Sequence, residues 1–212
     1  MNIKAVLLDM DGTLLDSERL SLEATDYAFR SVLGRGTTPE ESSKLIGKPI
    51  SKVLTEWFAD KGHEIYYTGR SFFKEHMKDI TVYPGVLEMI HDLKNSGLKI
   101  GVVSSSHVSD IVELLGRAGI LQYLDTYVGQ EDTEYQKPDP EPLNLALRRL
   151  NVKPSESVYV GDQQYDIVAA HEAGITAIAA IWGMGDPDSL DLFHPDFLAD
   201  SPEKVVRIVL GL

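Results

Sequence analysis

The stretch AVLLDMDGT, residues 5–13, joins a short apolar run to two aspartates and a glycine. A run of this kind, bounded by a glycine turn, indicates a buried β-strand. Side chains alternate along a strand, so Asp9 and Asp11 point to one face while Met10 points into the core. Two carboxylates held side by side repel each other unless a cation or a shared proton compensates them. The stretch therefore predicts a metal-assisted reaction centre at a strand end.

Three further motifs carry polar groups that fit such a centre. Residues 99–106, KIGVVSSS, form a second apolar run that ends in hydroxyls. Residues 136–140, QKPDP, place Lys137 in a rigid turn ahead of a predicted helix. Residues 157–162, SVYVGD, are a third apolar run that ends in an acid, and Asp166 follows one helical turn later. In open parallel α/β sheets, ligands bind at the carboxyl ends of the strands.

Taken in order, the four motifs resemble those of the haloacid dehalogenase superfamily of aspartate-nucleophile phosphohydrolases. They stand here as DMDGTLLDSE (residues 9–18), VVSSS (102–106), QKPDP (136–140) and VGDQQYD (160–166). Their spacing is similar to that of members with a small helical cap between the first and second motifs. Within these, the chain looks most like the group of phosphoglycolate phosphatases, pyrophosphatases and β-phosphoglucomutases. The resemblance covers essentially the whole chain.

Periodicity divides the chain into two parts. Residues 16–81 show helical spacing of apolar residues and no alternation, so we expect a helical cap domain there. Helices are predicted at residues 17–33, 38–47, 50–60 and 64–78. Strands are predicted at residues 5–8, 99–104, 127–128, 157–161 and 176–181, with helices between them. This alternation predicts an α/β core of residues 1–15 and 82–212, a Rossmann-like doubly wound parallel sheet.

The resemblance implies specific roles for the four acids. Asp9 is expected to be the nucleophile that forms an aspartyl-phosphate, and Asp11 the general acid and base. Mg²⁺ is the expected cofactor, bound by the Asp9 carboxylate, the Asp11 backbone carbonyl and Asp162. Asp166 is expected behind these ligands, where it orders metal-bound water or the loop. Two other interpretations remain open: Asp162 as a helix N-cap, and Asp166 as an ordinary acid of a first helical turn.

Phosphate binding is expected from hydroxyl, amide and ammonium groups. By resemblance, Ser104 and the backbone amide of Ser105 bind the phosphoryl oxygens, and Lys137 supplies positive charge to both the nucleophile and the phosphate. Thr13 is expected to shape the phosphate loop and to contribute its hydroxyl. The serines remain open to a second interpretation as a helix-capping cluster. Lys48, in a cap loop, is the candidate for substrate specificity, with a solvated lysine as the alternative.

Composition excludes several classes of function. The chain has 212 residues, no cysteine and a formal net charge of −13. A disulfide framework and a thiolate metal site are therefore impossible, and the acidic balance argues against non-specific nucleic-acid binding. No apolar stretch has the length of a membrane span, and the N-terminus lacks the pattern of a secretory signal. We expect a cytoplasmic enzyme whose partner is a small phosphorylated metabolite; the sequence does not predict its oligomeric state.

Three functions compete for these motifs. A phosphatase would act on a small soluble phosphate ester of the phosphoglycolate type, or alternatively on inorganic pyrophosphate. A phosphomutase would return the phosphoryl group to a sugar, but Ser21 and Ile50 stand where β-phosphoglucomutase relatives carry an assisting histidine and arginine. A signalling receiver also combines acids, a hydroxyl and a lysine, yet it has adjacent acids on its first strand and no helical insertion of this size. Hydrolysis is therefore the preferred interpretation.

Overall fold

The computed structural model describes residues 2–46 and 50–212. The chain divides into two compact units, one formed by Met1–Leu15 with Val82–Leu212 and the other by Asp16–Thr81. The first unit is an α/β domain and the second is helical.

A six-stranded parallel sheet forms the centre of the α/β unit. Its strands, in chain order, are β1 (Ala5–Leu8), β2 (Lys99–Val103), β3 (Thr126–Val128), β4 (Ser157–Gly161), β5 (Thr176–Ala180) and β6 (Phe197–Ala199). In space they lie in the order β3-β2-β1-β4-β5-β6, and every neighbouring pair is parallel. Every residue of β1 is buried, as expected for a strand covered on both faces. The predicted doubly wound α/β core is confirmed.

Helices connect and cover these strands. They are α5 (Val86–Asn95), α6 (Val108–Arg117), α7 (Glu141–Leu150), α8 (Gln164–Glu172), α9 (Pro187–Asp191) and α10 (Pro202–Gly211). One buried cluster joins Leu7 of β1 to Leu147 of α7 and Ile167 of α8. Packing of this kind fixes the strand ends, because a close-packed interior leaves little room for movement.

The helical unit contains α1 (Glu18–Leu33), α2 (Pro39–Leu45), α3 (Ile50–Phe58) and α4 (Asp60–His76). Its core is built around Phe29, Leu54 and Ile65, which are almost fully buried. A capping box starts α2: the Glu41 backbone N–H donates to Thr38 Oγ1, and the Thr38 backbone N–H donates to the Glu41 carboxylate.

The chain leaves and re-enters the α/β unit at two adjacent positions. Leu15 and Val82 form an antiparallel bridge. The Tyr83 backbone N–H donates to Leu14 O at 3.1 Å. Inside the helical unit, the Asp16 N–H donates to Thr81 O at 2.9 Å. The two ends of the inserted segment are thus paired with each other.

The structure differs from the sequence prediction after residue 181, where α9, β6 and α10 were not predicted, and at the start of α4. The strand predicted to be the last, at 176–181, is followed by a further one, β6, which pairs with β5. The helix predicted from residue 64 begins at Asp60 instead. Within residues 2–46 and 50–212, no helix is long and apolar enough to cross a membrane.

Candidate functional site

The candidate site lies at the carboxyl ends of three neighbouring strands. Asp9 follows β1, Ser104 follows β2 and Asp162 follows β4, and β1 lies between the other two. Leu8 is paired with both Val102 and Val160, so the three strands end at nearly the same level. The polar residues that the sequence placed at separate strand ends therefore meet at one edge of the sheet.

Three buried carboxylates form the centre of the site. Oxygen atoms of Asp9, Asp162 and Asp166 all lie within 4.8 Å of one another. Their exposed fractions are 5%, 1% and 2%. Hard oxygen donors at this spacing suit Mg²⁺, which binds carboxylates and substrate phosphates rather than nitrogen or sulfur ligands. The donor set therefore fits the predicted metal.

Lys137 places a positive charge among these acids. Its ammonium donates to Asp9 Oδ1 at 2.8 Å and to Asp166 Oδ1 at 2.6 Å. The side chain is only 5% exposed, so both ion pairs lie in a low-dielectric environment where removal of one partner is costly. The turn predicted around Lys137 thus directs its side chain inward, onto Asp9, the predicted nucleophile.

The charged groups of this cluster shift one another's pKa values. Burial raises the pKa of Asp9 well above its usual value; Lys137 opposes this shift, whereas Asp166, Asp162 and Asp11 add to it. Burial alone would lower the pKa of Lys137, but attraction to Asp166 and Asp9 outweighs burial and raises it. Lys137 is therefore a fixed cation, and mutual repulsion among the carboxylates favours a further positive charge beside Asp9.

Asp162 is held by neutral donors on two sides. Thr13 Oγ1 donates to Asp162 Oδ1 at 3.2 Å, and Gln163 Nε2 donates to Asp162 Oδ2 at 2.8 Å. Gly12 has a φ of +79°, and a Cβ at that position would lie 2.4 Å from Asp162 Oδ2. Only glycine therefore fits the loop beside this carboxylate. The N-cap of α8 is Gln163, so the interpretation of Asp162 as the N-cap is wrong.

Asp166 is an acid of the first turn of α8 that also contacts Lys137, and its expected place behind the metal ligands stays a prediction. Its Oδ2 accepts from the Gln163 backbone N–H at 3.0 Å, as an acid in the first turn of a helix does. Its Oδ1 accepts from Lys137. A Cβ on Gly161 would lie 2.4 Å from Asp166 Cγ, so the glycine is what allows the carboxylate to approach β4 so closely.

The serine loop holds Asp11. Ser104 Oγ donates to Asp11 Oδ2 at 3.1 Å, and Ser106 Oγ donates to the same oxygen at 2.7 Å. The N-cap of α6 is His107, and it makes no capping side-chain hydrogen bond. Ser104 Oγ accepts from the Ser106 backbone N–H within the loop. The capping-cluster interpretation is therefore wrong, because the serine side chains do not cap α6.

Ser105 and Thr13 complete the predicted phosphate-binding set. The Ser105 hydroxyl is buried and has no hydrogen-bond partner within the described part of the chain. Thr13 is fully buried, and its carbonyl accepts from Trp182 Nε1 at 3.0 Å. The Thr13 hydroxyl supports Asp162, so its expected contact with phosphate stays a prediction. Lys48, the candidate for substrate specificity, lies outside the described residues.

Tyr159 is a site residue that sequence reasoning missed, as is Ser106, which donates to the predicted general acid and base. The Tyr159 hydroxyl accepts from the Lys137 ammonium at 2.9 Å and lies 3.1 Å from both Val103 O and Asp166 Oδ1. The side chain is 1% exposed. A tyrosine within an otherwise apolar strand could have indicated this role from the sequence, because a buried hydroxyl needs a hydrogen-bond partner.

Comparisons with known proteins identify the family of the chain. The family model described as "Haloacid dehalogenase-like hydrolase" matches residues 6–180. The chain is 31% identical over 208 residues to "Pyrophosphatase PpaX" of Bacillus velezensis, covering 97% of this chain and 96% of that protein. It is 28% identical over 210 residues to "Pyrophosphatase PpaX" of Oceanobacillus iheyensis, covering 99% and 98%.

Solved structures show the same fold. A protein of Thermotoga maritima, provisionally named a β-phosphoglucomutase, superposes with a TM-score of 0.79 at 27% identity. The superposition covers 99% of this chain and 100% of that one.

Proposed function

The chain belongs to the haloacid dehalogenase-like hydrolase family, and we propose that it is a Mg²⁺-dependent phosphatase that works through an aspartyl-phosphate on Asp9. The observation that carries this proposal is the buried contact of 2.8 Å between Lys137 Nζ and Asp9 Oδ1, beside two further carboxylates. A carboxylate nucleophile needs nearby positive charge before it can approach an anionic phosphoryl group.

The reaction consists of two displacements at phosphorus. In the first, an Asp9 carboxylate oxygen attacks the phosphoryl group, the bond to the leaving oxygen breaks, and Asp11 gives that oxygen its proton. In the second, Asp11 takes a proton from water, which attacks phosphorus and releases inorganic phosphate and the Asp9 carboxylate. Asp11 lies two residues from Asp9 and is held by Ser104 and Ser106, so one carboxyl can serve both steps.

Binding of the phosphoryl group is assigned to Ser104, the Ser105 amide and Lys137. The single hydroxyl proton of Ser104 would turn from Asp11 to a phosphoryl oxygen. Ser104 and the Ser105 amide would donate hydrogen bonds, and Lys137 supplies positive charge, at the edge of the sheet where Asp9 lies. Asp9, Asp162 and the Asp11 carbonyl would hold Mg²⁺, and Asp166 would lie behind them. When bound, the metal neutralises charge on the phosphoryl oxygens as they approach the carboxylates.

A small phosphate monoester, of the phosphoglycolate type, is the first candidate substrate. Inorganic pyrophosphate is the second, because two relatives that cover nearly the whole chain are named pyrophosphatases. The same two steps serve both, since the leaving group is an alcohol in one and phosphate in the other. Transfer to a sugar is disfavoured by Ser21 and Ile50, which replace the histidine and arginine of mutase relatives.

A metabolite panel with Mg²⁺ tests this proposal. Phosphoglycolate, pyrophosphate, sugar phosphates and β-glucose 1-phosphate are each incubated with the enzyme, and both phosphate release and isomerised sugar phosphate are measured. We expect phosphate release from at least one of the first two. Efficient conversion of β-glucose 1-phosphate to glucose 6-phosphate, with little free phosphate, would instead establish a mutase.

The variant Asp9→Asn tests the covalent mechanism. The amide keeps the shape of the side chain but cannot act as the nucleophile, so turnover should be lost while the circular dichroism spectrum shows that the variant is folded. Retention of wild-type turnover in this variant would rule out the aspartyl-phosphate.

A further inference from the structure

The contacts of the Lys137 ammonium account for all of its hydrogens. A lysine ammonium has three N–H donors. One points to Asp9 Oδ1 at 2.8 Å and one to Asp166 Oδ1 at 2.6 Å. The third partner is the Tyr159 hydroxyl at 2.9 Å, which is shorter than the 3.4 Å contact with Val103 O. Two anions and one phenol therefore define the position of the ammonium.

The Tyr159 hydroxyl is itself tied to the sheet. It lies 3.1 Å from Val103 O, at the end of β2, and 3.1 Å from Asp166 Oδ1. Its oxygen accepts from Lys137 while its single proton is available to one of these two acceptors. The phenol therefore links the lysine to β4, which carries the ring, and to the last residue of β2.

The same face of β4 makes room for Asp166. Residues 159 and 161 lie on one face of the strand, because side chains alternate. Position 161 is glycine, and a Cβ there would lie 2.4 Å from Asp166 Cγ. Tyr159 and Gly161 thus form the surface of β4 against which Lys137 and Asp166 lie.

From these contacts we propose that Tyr159 is a positioning residue, which fixes the Lys137 ammonium against the nucleophile Asp9. This inference rests on the proposed function, because it concerns how that nucleophile is supported. Without the phenol, the third hydrogen keeps only the longer 3.4 Å contact with Val103 O, so the ammonium can move toward Asp166. Lys137 would then be less well placed for Asp9 and for the incoming phosphoryl group, at a site where small displacements are costly.

The test compares Tyr159→Phe with the wild type. Phenylalanine keeps the ring and removes only the hydroxyl. Loss of a group that orients a metal ligand typically costs about 10- to 100-fold in metal affinity or activity, and for Tyr159→Phe we expect a loss of that order in kcat with little change in KM. The control is Tyr127→Phe on β3, another tyrosine of the sheet, which should keep wild-type kcat. A wild-type enzyme without phosphatase or pyrophosphatase activity would refute the proposed function, whereas an active wild type with an equally active Tyr159→Phe variant would overturn this inference alone.

A double-mutant cycle with Lys137→Ala separates positioning from a general effect on the fold. The readout is the affinity of the enzyme for beryllium fluoride in the presence of Mg²⁺, which mimics the phosphorylated aspartate and needs no turnover. If Tyr159 acts through Lys137, Tyr159→Phe weakens binding in the wild type but has no further effect once Lys137 is absent. An equal loss in both backgrounds overturns the proposal.

A second replacement at position 159 tests the proposal independently of Tyr159→Phe. The replacement Tyr159→p-aminophenylalanine keeps a donor toward Val103 O but is a poor acceptor for the ammonium. We expect its kcat to lie between those of the wild type and Tyr159→Phe. If the phenylalanine variant does not fold, this replacement carries the test by itself, and a wild-type kcat in it overturns the proposal.

Discussion

Ser106 Oγ lies 2.7 Å from Asp11 Oδ2, so the serine loop after β2 contacts the predicted acid–base directly. Ser106→Ala removes this donor and leaves the contact from Ser104 at 3.1 Å. We expect kcat to fall by roughly tenfold, because a proton-transfer group loses part of its orientation.

The loss of activity in Ser106→Ala is compared for two substrates that differ in their leaving group. An alkyl phosphate needs protonation of its leaving oxygen, whereas p-nitrophenyl phosphate needs little, so the first should be affected more strongly. Ser109→Ala, at an exposed position of α6, is the control and should behave like the wild type. Equal losses for the two substrates would contradict a role for Ser106 through Asp11.

Mg²⁺ should stabilise the folded protein in the absence of substrate. A ligand that binds only the native state at a hundred times its Kd adds about 2.7 kcal/mol to the free energy of unfolding. The measurement is the melting temperature with and without Mg²⁺. Asp162→Asn should reduce the shift, because it removes a predicted ligand, whereas Asp200→Asn at an exposed site should not. A full shift in Asp162→Asn would remove that residue from the metal site.

Gly161→Ala should damage the site although it adds a single methyl group. The new Cβ would lie 2.4 Å from Asp166 Cγ, so the carboxylate that holds Lys137 must move. Overpacking of this kind typically costs about 1–3 kcal/mol, and activity should fall with it. Gly116→Ala in α6 is the matched control, since its Cβ would meet its nearest neighbour at 3.8 Å. Chemical denaturation and kinetics of both variants provide the comparison.

The helical unit should lose stability in acid through Glu41. Its hydrogen bonds with Arg35, together with the Thr38 contacts and against the effect of burial, lower the pKa of the Glu41 carboxyl to about 2. Because the folded pKa lies below the unfolded one, the stabilisation is complete above about pH 4.5 and is lost as pH falls toward 2. Arg35 is half-exposed, so solvent screening keeps this contribution small.

Trp57 fluorescence can follow this loss in a Trp182→Phe background, because these are the two tryptophans of the chain. Glu41→Gln keeps a capping group but removes the charge, so its urea midpoint should depend less on pH between about 4.5 and 2. A wild-type pH dependence in Glu41→Gln would show that another group is responsible.

Sequence reasoning located the strand ends because their signal is local. Asp9 and Asp162 each follow an apolar run directly, and parallel pairing brings such ends together. The contact between Lys137 and Asp9 depends instead on a long-range arrangement, and only the family motif indicated it. Tyr159 was missed because hydrophobic periodicity counts a buried tyrosine as core and does not show where its hydroxyl points.

The differences between the predicted and the observed fold also have physical causes. The predicted helix starts at residue 64, after Gly62, whereas α4 begins at Asp60. In the structure a Cβ at Gly62 would lie 2.3 Å from Leu54 O, so this glycine permits close contact between α3 and α4. β6 has only three residues and lies between polar segments, which is too short for an alternating pattern to be recognised.

The antiparallel bridge between Leu15 and Val82 also bears on how such a chain can diverge. Where the two ends of an inserted segment are already paired, the entropy of closing the intervening loop grows only slowly with its length. A lineage can therefore lengthen, shorten or exchange the segment while the sheet and its carboxylates remain intact. Substrate range and chemistry can then evolve under separate selection within one polypeptide.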